Sequence, residues 1–151
     1  MEIRLAKHGD IEAIVPLMNQ LGYSVTVALI QEKLRSLSDS PFDRVFVAVY
    51  DGQIVGVVSC HLTNLLHQAG YCGRITSLVI DENHRGLGTG KALLQAAESY
   101  FVESGCYKVE VTSSEHRNAA HEFYRACGYQ VHGLRFLKVW DTQAESMQGI
   151  R

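Results

Sequence analysis

The segment Leu78-Val79-Ile80-Asp81-Glu82-Asn83-His84-Arg85-Gly86-Leu87-Gly88-Thr89-Gly90-Lys91 is where residue types and spacing most clearly suggest chemistry. An apolar strand feeds a loop with glycines at 86, 88 and 90, and the loop opens into a helical pattern. The first turn of a helix carries unpaired N–H groups and a partial positive charge. Glycines let the backbone curl toward phosphate oxygens, so the segment reads as an anion site, with Arg85 and Lys91 adding charge. A dinucleotide loop needs GxGxxG, and here the third glycine comes one residue early, although Glu110 stands about 20 residues later, where such a fold places an acid. A phosphate-binding P-loop needs GxxxxGK[ST]; Gly86 to Gly90-Lys91 is one residue too short, and Ala92 replaces the hydroxyl. Arg85-x-x-Gly88-x-Gly90 is a third pattern. A plain strand-to-helix turn needs one such glycine rather than three. A second chemical cluster follows at Ala120-His121-Glu122-Phe123-Tyr124, before Gly128-Tyr129.

These residues must be held by a chain of 151 residues, the size of one domain and long enough to bury a core. Hydrophobic residues make up 46% and charged residues 20%, which excludes disorder for the bulk of it. A net charge of −2 argues against nucleic acid as a main partner. Cys60, Cys72, Cys106 and Cys127 show no CxxC spacing and read as apolar fillers in a reducing cytoplasm. No signal-like or membrane-spanning run is seen, so no membrane partner is expected. The domain is read over 1–141, with a polar tail over 142–151.

The pattern predicts a strand at Ile3–Leu5, then a helix capped by Asp10 with Ile11, Ile14, Val15 and Met18 at helical spacing. Pro16 would kink it. A second helix covers Val25–Leu37, with Leu29, Ile30, Leu34 and Leu37 inward. Strands Val45–Tyr50 and Gln53–Leu62 flank Asp51-Gly52, a tight-turn dipeptide. Arg74–Asp81 is a strand, Gly90 to about Gly105 a helix, and Val109 and Val111 mark a strand. Asn118–Cys127 is a short helix stopped by Gly128. Tyr129–Val131 and Arg135–Trp140 read as a final hairpin. The fold class is α/β, a mixed sheet flanked by helices.

From about Ile3 to Trp140 the sequence resembles the GNAT acetyltransferases, through Arg85, Gly88 and Gly90, through Ala120 to Tyr124 with Gly128-Tyr129, and through element order. The resemblance implies a mostly antiparallel single-domain sheet whose fourth strand is bulged and splays from the fifth. It implies acetyl-CoA as co-substrate. The backbone of Leu78, Val79 and Ile80 would hold the pantetheine and acetyl carbonyl, and bulge N–H groups would stabilise the oxyanion of a tetrahedral intermediate. Arg85, Gly86, Leu87, Gly88, Thr89, Gly90 and Lys91 would hold the pyrophosphate. Tyr124 matches the family's acid for the departing thiolate; on its own it also fits a core aromatic.

Two positions depart from the family pattern. Arg74 stands where many relatives carry an acidic base, leaving Glu110 and His61 as candidates beside proton loss through water. Arg117 stands where many relatives carry a cofactor-contacting asparagine, with Asn118 one position late. Arg117, Ala120, His121, Phe123 and Tyr124, with Arg135, Phe136 and Lys138 and with His61-Leu62, further resemble the aminoalkylphosphonate acetyltransferase group. That implies a small-molecule amine, with Arg74, His61 and Arg135 toward an anionic substrate. His8, His67, His84, His116, His121 and His132 form no recognised ligand spacing, so no metal is expected. An acetyl-CoA-binding regulatory module, a protein N-acetyltransferase and a nucleotide-binding domain stand as alternatives. A strand near Arg135–Trp140 would suit pairing across a two-fold in a homodimer.

Overall fold

The computed structural model describes residues 1–113 and 117–140. The tail over 142–151 and His116 lie outside them. Element order is β1 (Glu2–Leu5), α1 (Ile11–Leu21), α2 (Val27–Asp39), β2 (Asp43–Tyr50), β3 (Gln53–Asn64), β4 (Tyr71–Ile80), α3 (Thr89–Glu103), β5 (Cys106–Val111) and α4 (Asn118–Ala126). The five strands lie side by side in chain order. The first four pair antiparallel, and β4 with β5 is parallel. A parallel neighbour needs a crossover, and α3 supplies it.

The β2–β3 turn is set by Asp51 and Gly52, with φ of 52° and 78°. Both central residues are left-handed, the geometry that matches strand twist in a two-residue hairpin. Each face of the sheet has its own core. On one, α3 lays Leu93, Leu94, Ala97 and Phe101 over Ala48, Val58, Cys60, Leu62 and Ile75. Gly73 lets Phe101 approach: a Cβ there would come within 2.6 Å of its ring. On the other face, α1 presses Ile14 and Leu17 onto Val47, Val57 and Val79. Full burial of each such side chain contributes about 2 kcal/mol. The apolar spacing of both helices dictates this division.

Three expectations need correction. Asp10 stands before α1 without capping it. Its buried carboxylate instead accepts Arg4 Nη1 at 2.7 Å, Arg4 Nη2 at 2.9 Å and the Lys7 amide at 2.9 Å. A guanidinium fork outcompetes a helix amide for the same oxygens. The strand predicted from Arg74 begins at Tyr71, because pairing with β3 carries through Gly73. The final hairpin does not form: residues 129–140 pair with no described strand. The last backbone bond into this segment runs from Tyr129 N–H to Tyr124 O at 2.9 Å. Alternation reports faces, and a strand also requires a ladder partner, which the described residues of this one chain do not provide.

Candidate functional site

The pairing of β4 with β5 runs from Tyr71 opposite Cys106 to Ile75 opposite Val111 and goes no further. β4 continues to Ile80, held on its other side by β3. Beyond Ile75 the two strands therefore part. At that point β4 carries a bulge: Ser59 faces Ser77 and Cys60 faces Ile75, leaving Thr76 as the extra residue. The Thr76 and Ser59 hydroxyls hydrogen-bond across it. The parting opens a cleft of about 350 Å³, walled by Ile75, Thr76, Ser77 and Leu78 of β4, by Val111, Thr112 and Ser113, and by Arg117, Ala120 and Tyr124 at α4. Leu21, Tyr23 and Arg135 complete the wall. The bulge and splay implied by the resemblance are both present, with the bulge at Thr76, just ahead of Leu78, Val79 and Ile80.

After Ile80 the chain reaches the glycine loop. Gly86 and Gly88 have φ of 80° and 79°, a region that disfavours any side chain, and a Cβ at either would meet nothing within 4 Å. The open side is thus available to a ligand. Gly88 is the N-cap of the 15-residue α3, and no side chain caps that end. Beside it Thr89 is 2% exposed, and its hydroxyl has no hydrogen-bond partner. An uncapped N-terminus, an orphaned buried hydroxyl and flanking Arg85 and Lys91 fit a pyrophosphate. Leu87 is exposed between the two glycines. Gln20 of α1 steadies the approach to this loop, donating to Asp81 Oδ1 at 2.9 Å and accepting from the Glu82 amide at 3.0 Å. Gln20 and His84 hold the Asp81 carboxyl below its usual range. Sequence reasoning missed Gln20, because a polar residue on an amphipathic helix carries no signal of a partner 61 residues away.

Tyr124 is brought to the cleft by α4, which sits against the first turn of α3. A Cβ at Gly90 would lie 3.2 Å from Phe123, so this glycine sets the approach. The Phe123 and Tyr129 rings lie 5.3 and 5.7 Å from that of Tyr124. Burial pushes the Tyr124 hydroxyl up to about 12, against the opposing pull of the Arg117 charge. The raised value favours the protonated phenol, which can donate a hydrogen bond into the cleft.

Arg117 lines the cleft, and its guanidinium donates to the Leu21 carbonyl, closing the α1–α2 connection against α4. Asn118 is exposed at the start of α4. Arg74, His61 and Glu110 stand outside the cleft wall as register neighbours across three strands. His61 Nδ1 is 2.8 Å from Asp43, Glu110 is 3.0 Å from Lys108, and Arg74 donates to Thr112 at 3.3 Å. Arg135 does line the cleft. Among the described residues the wall holds no carboxylate, histidine or cysteine. Among them also, no three His, Cys, Asp or Glu side chains converge on a metal position, and no helix is long and apolar enough to cross a membrane.

Comparison with known proteins agrees with this geometry. An aminoalkylphosphonate N-acetyltransferase of Salmonella typhimurium is 35% identical over 61% of this chain and 60% of its own length. A glucosamine 6-phosphate N-acetyltransferase of Trypanosoma brucei brucei is 28% identical over 87% of this chain and 90% of its own. The crystal structure of glucosamine-6-phosphate N-acetyltransferase from Arabidopsis thaliana superposes with a TM-score of 0.78 at 25% identity, covering 93% of this chain and 98% of that one. The sequence pattern of the acetyltransferase (GNAT) family matches residues 17–129. With its splayed strands, bulge and glycine loop, this chain belongs to the GNAT acetyltransferase family.

Proposed function

We propose that this protein is an enzyme that transfers the acetyl group of acetyl-CoA to the primary amine of a small molecule carrying a phosphonate or phosphate group. The observation that carries this reading is the cleft between β4 and β5. Its wall holds the half-buried Tyr124 together with Arg117 and Arg135, and β4, which forms one side of it, leads on to the glycine loop and the uncapped N-terminus of α3. The relatives named for aminoalkylphosphonate and glucosamine 6-phosphate both act on amines that bear phosphorus oxyanions, which supports the acceptor class.

Acetyl-CoA, when bound, supplies an activated thioester. The chain's own residues hold and orient it. Residues Arg85 to Lys91 receive the pyrophosphate through backbone N–H groups and charge. The β5-facing side of Leu78, Val79 and Ile80, left open by the splay, pairs with an extended ligand as an added strand. Backbone N–H groups at the Thr76 bulge stabilise negative charge on the acetyl oxygen. Tyr124 gives its proton to the departing sulfur. The amine attacks the acetyl carbonyl directly, and among the described residues no cysteine lines the wall to carry the acetyl group first. Among the described residues the wall holds no carboxylate or histidine; the ammonium proton leaves to water, and the two guanidinium groups favour the neutral amine. Arg135, in the cleft wall, pairs with the acceptor's oxyanion.

The test is release of CoA thiol with paired acceptors: an aminoalkylphosphonate and glucosamine 6-phosphate against the same amines lacking phosphorus. Stoichiometric acetylation of the phosphorus-bearing amines is expected. The base-free wall also suits a second reading, an acetyl-CoA-binding regulatory module. Stabilisation by acetyl-CoA with no transfer to any amine selects it.

A further inference from the structure

The tyrosine of the cleft sits on a helix with little core of its own: α4 carries no fully buried residue. Its place is set by what grips it. At its start Arg117 holds the Leu21 carbonyl, and in its middle Phe123 rests against Gly90. Past its end the grip falls on Tyr129. Gly128, with φ of 91°, turns the chain back, and two N–H bonds close the helix. One runs from Gly128 to the Arg125 carbonyl at 3.0 Å, the other from Tyr129 to the Tyr124 carbonyl at 2.9 Å. In this closing pattern the residue after the glycine packs its side chain on the residue that accepts its N–H. Here those two are Tyr129 and Tyr124, and their rings lie 5.7 Å apart. Tyr129 therefore holds Tyr124 through backbone and ring at once.

The Tyr129 hydroxyl reaches one step further and donates to Glu98 Oε2 at 2.8 Å, 31 residues back on α3. A carboxylate is a strong acceptor for a phenol. Burial and this bond both push the Tyr129 hydroxyl up, which keeps it a donor. Glu98 stands next to Ala97 on a helix whose Leu94, Ala97 and Phe101 are buried in the core, so it is anchored independently of α4. We propose, resting on the acetyl-transfer reading, that Glu98 is a positioning residue: fixed to the core by α3, it holds Tyr129, and Tyr129 sets where the Tyr124 hydroxyl stands in the cleft. Glu98 is not in the cleft wall, so it acts only through the tyrosine pair. A proton donor displaced by about 1 Å can lower a rate by up to about 100-fold, so a bond far from the reacting atoms still bears on kcat.

The test compares Tyr129→Phe, Glu98→Ala and Glu98→Gln in the full chain, first without substrate. Tyr129→Phe keeps the ring and removes the donor; Glu98→Gln keeps an acceptor and removes the charge. In Tyr129→Phe and Glu98→Ala the α4 and Tyr129 amides are expected to exchange at least about tenfold faster while α3 amides stay protected. The Tyr124 ring-carbon resonance, assigned by its loss in Tyr124→Phe, is expected to shift in both. Glu98→Gln is expected to leave both signals near those of the unmodified protein. With acetyl-CoA and an aminoalkylphosphonate, Tyr129→Phe and Glu98→Ala are expected to lower kcat about tenfold at nearly unchanged acceptor KM. Added to Tyr124→Phe, Tyr129→Phe is expected to lower kcat no further, since a residue acting through Tyr124 then has no hydroxyl to place. Exchange and ring signal unchanged in Glu98→Ala, loss of α3 protection along with α4, or a further tenfold fall on top of Tyr124→Phe overturns the proposal. A protein that acetylates no amine instead contradicts the acetyl-transfer reading, and the exchange and ring signals then decide by themselves whether Glu98 places Tyr124.

Discussion

Tyr124 and Arg117 stand in one wall of the cleft, and the proposed reaction gives them different roles. Burial raises the tyrosine to about 12, so the proposed proton donor keeps its proton beyond the pH at which an ordinary tyrosine ionises. Tyr124→Phe is expected to lower kcat about 100-fold with little change in acetyl-CoA affinity, read by steady-state kinetics and by calorimetry. In the unmodified enzyme kcat/KM should climb with pH as the acceptor amine loses its proton, with no fall from tyrosine ionisation at pH 10. Arg117 acts by position: it holds the Leu21 carbonyl, and with it a loop that walls the cleft. Arg117→Ala is expected to raise the amine's KM about tenfold while leaving acetyl-CoA affinity nearly unchanged, which separates this role from a cofactor contact. The tyrosine was legible in the sequence because a local motif carries it. The arginine's partner was not, since a carbonyl 96 residues away leaves no mark in the pattern.

At the scale of elements, the proposed cofactor site rests on the start of α3. Gly88 adopts a left-handed conformation, and the space its Cβ would take is empty. Gly88→Val therefore strains the turn by about 1 kcal/mol and fills the cradle. Acetyl-CoA binding should weaken at least tenfold by calorimetry, while the melting temperature of the unliganded protein falls only a few degrees. This loop, the Asp51-Gly52 hairpin and the helix faces were readable because each rests on local geometry or periodicity. The splay point was not readable from spacing and came only from resemblance. It depends on where β4 and β5 stop pairing, at Ile75 and Val111, which is a relation between distant segments. The hairpin expected over residues 129–140 failed for a related reason: its alternation is real, but the ladder it needs is not supplied within the described chain.

Across the whole molecule, the sheet works as a rigid plate with a core on each face and a cleft cut into one end. Arg4 of β1 and Asp10, just before α1, tie the N-terminal strand to that helix. The guanidinium beside it and the Lys7 amide hold the Asp10 carboxyl below its usual range. A lowered folded value means this pair stabilises fully above the ordinary carboxylate range and is lost as pH falls through the folded value. Asp10→Asn should destabilise by about 2 kcal/mol at neutral pH, less than a fully buried pair because Arg4 meets solvent, and that deficit should shrink in acid unfolding curves. Length and composition gave the size of this plate, while the cleft at its end emerges only from three-dimensional pairing. What the plate serves is measured most directly by one ratio: kcat/KM for an aminoalkylphosphonate over that for the same amine without phosphorus, with acetyl-CoA as donor. A ratio of about 100 or more is predicted, since a charge-assisted pair is then made only by the first acceptor. A ratio near one, or no acetylated product from either amine, would contradict the account.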